Sequence, residues 1–270
     1  MKREILINAG TRETRVAILE DAKLVELLVD RPDNRRMVGD IYLGRVEAVL
    51  PGIQAAFVDI GTEKSAFLHA SDLIRESADE AEDDEDEDDD DSSEPDAVPT
   101  VAKSNGSNGG GRRSRKNAPP IQDALKRGQE IMVQISKEPI STKGPRVTAQ
   151  ISLAGRFLVY IPDSARVGVS RKISGGAERQ RLKEQVGSIL PDKSGGVIVR
   201  TVSEDVTPEA LKRDLDMLMA QWKKIKRKSQ FTRAPALLHR ETGLTRGLVR
   251  DLFSAKVDSL SIDSKPVFNE

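Results

Sequence analysis

The chain has 270 residues, 43 basic and 44 acidic, with two histidines and no cysteine, so disulfides and thiolate metal sites are excluded and a reducing interior is permitted. That length exceeds one compact unit and suffices for two or three. The formal net charge of −1 hides a division: residues 76–96 hold 15 acids and no base, residues 97–118 five bases and no acid, and the remainder carries 38 basic against 29 acidic side chains, the balance of a polyanion binder.

No stretch reaches the roughly 18 apolar residues of a membrane span. The apolar part of residues 1–8 stops after Ile5, Leu6 and Ile7, too short for a signal-peptide core. A soluble cytoplasmic protein with no membrane partner is the expectation. Residues 5–7, 15–19 and 24–29 read as short strands joined by turns at 8–11 and 20–21, an antiparallel meander that residues 30–36, with Pro32 and Asn34, interrupt.

Residues 55–61 alternate so that Ala56, Val58 and Ile60 point one way, while Phe57 shares the other side with Ala55 and Asp59. Residues 65–69 repeat the pattern: Ala66 and Leu68 form the apolar side, and Phe67 lies with Ser65 and His69. One exposed aromatic means little. Two on adjacent strands, both turned to the polar side, suit the stacking of unpaired bases. His69 sits beside Phe67, within reach of RNA, but a lone histidine is more often a surface residue and His69 is not a credible catalytic base. Residues 76–120 offer almost nothing to bury and read as a disordered insertion in one connection of this unit, where a long excursion costs little loop entropy.

Further on, Val147, Ala149, Ile151 and Leu153 alternate as one strand, and residues 157–161 form a more continuous one that Pro162 stops. A helix is predicted over 177–190 with Leu182, Val186 and Ile189 on one side. Residues 197–199 form a short buried strand running straight into Arg200 and Thr201. The longest helix starts at Thr207, a good cap, with Pro208 at its first position. Leu211, Leu215, Leu218, Trp222 and Ile225 line its buried face, which puts Trp222 in the core. Its basic end, 223–228, invites an RNA-backbone contact, and a solvated terminus is the preferred reading, since cations suit a helix C-terminus. Residues 237–238 and 257–262 read as strands, Leu244, Leu248 and Leu252 mark a helix face, and His239 has no recognisable partner. The stop at Asn269 and Glu270, without cap or tail, reads as a cut.

The framework of Gly44-Arg45-Val46, residues 55–61, 66–72 and 128–135 resembles an S1 domain, a five-stranded OB-type barrel whose exposed strand face binds single-stranded RNA. The whole chain resembles the amino-terminal half of the bacterial ribonuclease E/G family, most specifically at residues 5–8, 55–68, 151–155, 170–173 and 199–201. The resemblance implies an α+β, multi-domain fold. In it an S1 barrel, 36–145 with the insertion 76–120, is inserted into a split RNase H-like subdomain, 1–35 and 216–270, and is followed by a small α/β 5′-sensor, 146–215.

It also implies an endoribonuclease that cuts single-stranded RNA and favours a 5′ monophosphate. Arg200 and Thr201 would hold the terminal phosphate, Gly155 and Val159 would line the pocket near the first base, and Arg171 and Lys172 would extend the phosphate contact. Phe57, Phe67 and Lys143 would hold RNA near the cleavage point. In the family, magnesium on two aspartates of a later DNase I-like domain supports cleavage, and zinc on a cysteine pair links subunits; the split subdomain carries no carboxylate quartet. This chain is therefore expected to contain no catalytic or metal-binding residue, to bind RNA without cutting it, and to form a homo-oligomer only with the missing catalytic half. The alternative is a non-catalytic S1-type RNA-binding protein.

Overall fold

In the computed structural model, residues 2–31, 36–73, 120–192, 194–204, 206–252 and 257–269 are described, and the acidic insertion lies outside them as far as residue 119. Strands β1 (Arg3–Ala9), β2 (Thr14–Glu20) and β3 (Lys23–Asp30) form the amino-terminal meander. Ile5, Ile7, Val16 and Ile18 share its buried face. Asp21 and Ala22 make the β2–β3 turn with φ of 48° and 61°, the doubly positive geometry that matches the right-handed twist of a hairpin.

The next five strands close on themselves. They are β4 (Ile41–Leu50), β5 (Ala55–Asp59), β6 (Ala66–His69), β7 (Glu130–Lys137) and β8 (Arg146–Thr148), in the order β4-β5-β6-β8-β7 with β7 paired back to β4. Closure depends on β4 serving two neighbours, β7 through its first half and β5 through its second. Gly44 permits this crossing: a Cβ there would lie 2.4 Å from Val58 Cγ1 and 3.0 Å from the Asp59 carbonyl oxygen. Val46, Ala56, Val58, Ala66, Leu68, Val133, Ile135 and Val147 fill the barrel, and the short helix α1 (Ile121–Ala124) plugs one end with Ile121 and Leu125.

The chain then leaves the barrel, and here the single strand expected from Val147 to Leu153 is two. The Thr148 hydroxyl accepts the N–H of Gln150 at 3.1 Å, a local turn that competes with strand pairing, while the Asp72 carbonyl takes the Ala149 N–H at 2.9 Å. Val147 fills the barrel, whereas Ile151 and Leu153 fill a separate core. The alternation thus spans two cores.

That second core belongs to β9 (Leu153–Ala154), β10 (Leu158–Ile161), β11 (Val167–Val169) and β12 (Gly196–Val199), ordered β11-β12-β10-β9. Helices α2 (Gly176–Ile189) and α3 (Pro208–Phe231) pack on it. Leu182 and Val186 are buried and Ile189 partly so. The Thr207 hydroxyl caps α3 through the Ala210 N–H. Leu211, Leu215, Leu218 and Ile225 are buried along α3, each worth about 1.5–3 kcal/mol relative to exposure. Trp222, expected in the core, is only partly buried at its edge. Strand β11 was not anticipated; it is short, and its register with β12 is parallel.

Strand β13 (Ala236–His239) adds to the outer edge of β4, and helix α4 (Leu244–Leu252) follows. Leu248 of α4 packs against Ile5, Ile7 and Val16; the predicted face residues Leu244 and Leu252 have side chains outside those described. Strand β14 (Ser259–Ile262) pairs in parallel with β1, giving the sheet β14-β1-β2-β3, and α5 (Lys265–Asn269) comes last. The fold is mixed α+β around a closed five-stranded barrel. Among the described residues no helix is long and apolar enough to cross a membrane.

Candidate nucleic-acid interface

Strand alternation turns Ala56, Val58, Ala66 and Leu68 into the barrel and leaves Phe57 and Phe67 outside it. The two are register partners on β5 and β6, with ring centroids 6.1 Å apart and planes inclined at 68°. Phe57 is 36% exposed and Phe67 half-buried beside it. An edge-to-face pair leaves one ring face and one ring edge open, enough for a base to stack.

Lys143 is exposed on the β7–β8 loop. That loop is held against β6, because the Phe67 N–H donates to the Pro145 carbonyl at 2.8 Å and Lys64 Nζ to the Ser141 carbonyl at 2.9 Å. Lys143 thus belongs to a loop tied to the strand that carries Phe67. Arg146, the β8 partner of Phe67, is committed to Asp72 through Nε at 3.2 Å and Nη2 at 3.0 Å. His69 turns back on its own segment, with Nδ1 2.8 Å from Ser71 Oγ.

The other predicted residues gather on the second sheet. Ala154, Val159, Ile198 and Gly168 form one row across β9, β10, β12 and β11. Two residues beyond Ile198, Arg200 leaves β12 on the same side, with its N–H on the Phe157 carbonyl at 2.9 Å. Thr201 is exposed and opens a 3-10 turn, residues 201–203. The parallel pairing of Val169 with Val199 carries Ser170 next to Arg200, with Arg171 and Lys172, both exposed, just beyond. Phe57, Phe67 and Lys143 therefore share the barrel, and Val159, Arg200, Thr201, Arg171 and Lys172 share one end of a different sheet.

Gly155 is buried, and the group that approaches it closely is the carboxylate of Asp214 from α3. Asp214 is 5% exposed and accepts the N–H groups of Phe157 at 2.8 Å, Leu158 at 2.9 Å and Arg156 at 3.2 Å. It folds the 154–158 turn so that the Gly155 carbonyl meets Arg200 Nη1 at 2.8 Å. Sequence reasoning missed Asp214, although an acid between Leu211 and Leu215 on an apolar helical stripe is a readable signal. It also missed Arg156, whose guanidinium lies 5.3 Å from the Phe157 ring centroid, and the α4 pair Arg250 and Asp251.

Asp251 Oδ1 lies 2.7 Å from Arg200 Nη1 and 3.1 Å from Arg250 Nε. Burial works against ionisation of Asp251, and hydrogen bonds from Arg250 and Arg200 outweigh it, so its carboxyl is held below its ordinary value. Arg250 is raised although burial opposes it, through hydrogen bonds to Asp251 and Glu241. His239, expected to lack a partner, has Nε2 2.8 Å from Gln221 Nε2, and its pKa is lowered chiefly by burial.

The geometry defines a class: a closed barrel with paired outward aromatic rings, joined to a sheet whose end carries a tethered arginine. Comparison with known proteins narrows it. The model of the Ribonuclease E/G family matches residues 152–270. Ribonuclease G of Haemophilus influenzae is 37% identical over 270 residues, covering 99% of this chain and 48% of that protein. Ribonuclease G of Escherichia coli K12 is 36% identical over 265 residues, with 98% and 48% covered, and Ribonuclease E of Nostoc sp. is 35% identical over 265 residues, with 98% and 33% covered. The chain belongs to the ribonuclease E/G family, and it spans about half the length of the ribonuclease G relatives it matches.

Proposed function

We propose that the chain is the RNA-binding, 5′-end-sensing part of a ribonuclease E/G-type endoribonuclease of RNA processing and decay, working in the cytoplasm. The observation that carries the reading is the edge-to-face pair of Phe57 and Phe67, turned outward from a barrel whose β7–β8 loop exposes Lys143. In this reading the barrel is of S1 type. Unpaired bases stack on the rings, and Lys143 meets the backbone. At the second sheet, Arg200 and Thr201 bind a 5′ monophosphate, with Arg171 and Lys172 nearby and Val159 under the first base. A guanidinium fork and an adjacent hydroxyl match phosphate oxygens.

In the same reading, residues 1–35 and 216–270 correspond to the split RNase H-like subdomain. We assign cleavage, its magnesium and a zinc-linked homo-oligomer to the portion of such enzymes outside these residues, so the 270-residue chain binds RNA and does not cut it. The test is fluorescence anisotropy with a labelled single-stranded oligoribonucleotide, carrying either a 5′ monophosphate or a 5′ hydroxyl. Each of Phe57→Ala and Phe67→Ala should weaken binding by about 1–3 kcal/mol. Arg200→Ala should remove the preference for the phosphorylated end. Unaltered affinity in both phenylalanine variants, or equal affinity of the wild-type chain for the two ends, refutes the corresponding half of the reading.

A further inference from the structure

We propose that Asp251 is a positioning residue that aims the Arg200 guanidinium at the phosphate, an inference that rests on the assignment of Arg200 to the 5′ end. Arg200 Nη1 donates to the Gly155 carbonyl at 2.8 Å, with the Arg156 carbonyl at 3.5 Å, and forms an ion pair with Asp251 Oδ1 at 2.7 Å. Nε and Nη2 meet no acceptor among the described residues. Those two nitrogens form one edge of the guanidinium, the fork that donates to two oxygens of a phosphate. Tying down the opposite corner of the plane presents that edge in a fixed direction. An untied arginine would spread over many rotamers and surrender that freedom on binding.

Asp251 is itself fixed. Arg250 grips it through Nε to Oδ1 at 3.1 Å and Nη2 to Oδ2 at 3.2 Å, while Arg250 Nη1 reaches Glu241 Oε1 at 2.7 Å and the Ala154 carbonyl at 3.2 Å. Both residues sit on α4, which Leu248 anchors in the core of the amino-terminal sheet. The aim of Arg200 is therefore set from outside its own sheet. Because Asp251 is shared between two guanidiniums, its charge is largely neutralised where a phosphate would arrive.

The experiment compares dissociation constants of one oligoribonucleotide with a 5′ monophosphate and with a 5′ hydroxyl, using the full 270-residue chain as wild type, Asp251→Ala, Asp251→Asn and Arg200→Ala. Asp251→Ala should lower the phosphate preference by about three- to tenfold, the scale of fixing one long side chain. Asp251→Asn, which keeps an acceptor for Nη1, should retain most of the preference, a rescue that a general loss of stability would not give. In the Arg200→Ala background, Asp251→Ala should change the preference no further. On the wild-type chain, 15N NMR should find slow rotation of the Arg200 guanidinium, and a freely averaging one overturns the proposal even if Asp251→Ala does not fold. A preference that is intact or stronger in Asp251→Ala also overturns it. Equal wild-type affinity for both ends instead refutes the phosphate-sensor reading beneath it.

Discussion

Replacing Gly155 by alanine puts a methyl group into space that the Asp214 carboxylate fills. A Cβ there would lie 2.5 Å from Oδ2, 2.8 Å from Oδ1 and 2.9 Å from Cγ, all inside van der Waals contact. The carboxylate cannot retreat without releasing the N–H groups of Phe157 and Leu158, which it holds at 2.8 and 2.9 Å. Hydrogen bonds to a charged group contribute about 1.5–3 kcal/mol each, so Gly155→Ala should destabilise the chain by about 3–5 kcal/mol. Asp214→Ala strands the same donors and should cost about as much. Combining the two isolates the cause. With the carboxylate gone the extra methyl has room, and the double variant should lie within about 1 kcal/mol of Asp214→Ala alone. The assay is equilibrium urea unfolding of the four proteins, followed by fluorescence of Trp222, the only tryptophan, which packs on the same core. Additivity within about 0.5 kcal/mol would refute the steric argument.

Gly44→Ala should lower stability by about 1–3 kcal/mol in the same urea assay, because the new Cβ meets Val58 Cγ1 at 2.4 Å; an unchanged midpoint would mean that β4 and β5 do not cross so closely. Lys143→Ala should reduce the slope of log affinity against log salt by about 0.7, one single-strand phosphate contact, and an unaltered slope removes this lysine from the RNA path. For His239, burial lowers the pKa more than Glu241 and Asp40 raise it, so the unfolded chain binds a proton more readily than the folded one. Stability is then full above the ordinary histidine value of about 6.5 and falls as pH drops below it. His239→Gln should flatten that fall in urea titrations between about pH 8 and pH 5; parallel curves for the two proteins would exclude the effect.

Much of the architecture was legible because each element carried its own period and its own stop. Phe57 and Phe67 could be turned outward from the alternation of Ala56, Val58, Ala66 and Leu68 alone, and α3 could be started at Thr207 from its cap. What escaped was set by contacts remote in sequence. Alternation from Val147 to Leu153 is indifferent to which core each residue enters, and only the meeting of Thr148 with Asp72 divides it. At the second sheet, Arg200 and Gly155 were reachable only through family resemblance. A lone arginine after a short strand has no local signature, and its partner Asp251 lies some fifty residues away on a helix that packs against a different sheet.

The helix that links these parts has a consequence for how RNA would be held. Helix α3 runs 24 residues, roughly 36 Å at the usual rise. Near its start Asp214 builds the 154–158 turn, and near its end Ile225 joins the core that also contains Ile41 and Leu43 of the barrel strand β4. On the proposed reading, the turn that holds Arg200 and the barrel that carries the aromatic pair are thus joined through one helix with packed apolar side chains along it. A strand too short to span them can occupy one site at a time, and its affinity is that of the site it occupies. Beyond the spanning length the second contact becomes intramolecular, and affinity should rise sharply. Anisotropy with 5′-phosphorylated oligouridylates of increasing length should therefore give a step, and Arg200→Ala or the Phe57→Ala, Phe67→Ala pair should each abolish it. A smooth increase with length in the wild-type chain would mean that the two sites do not act on one strand.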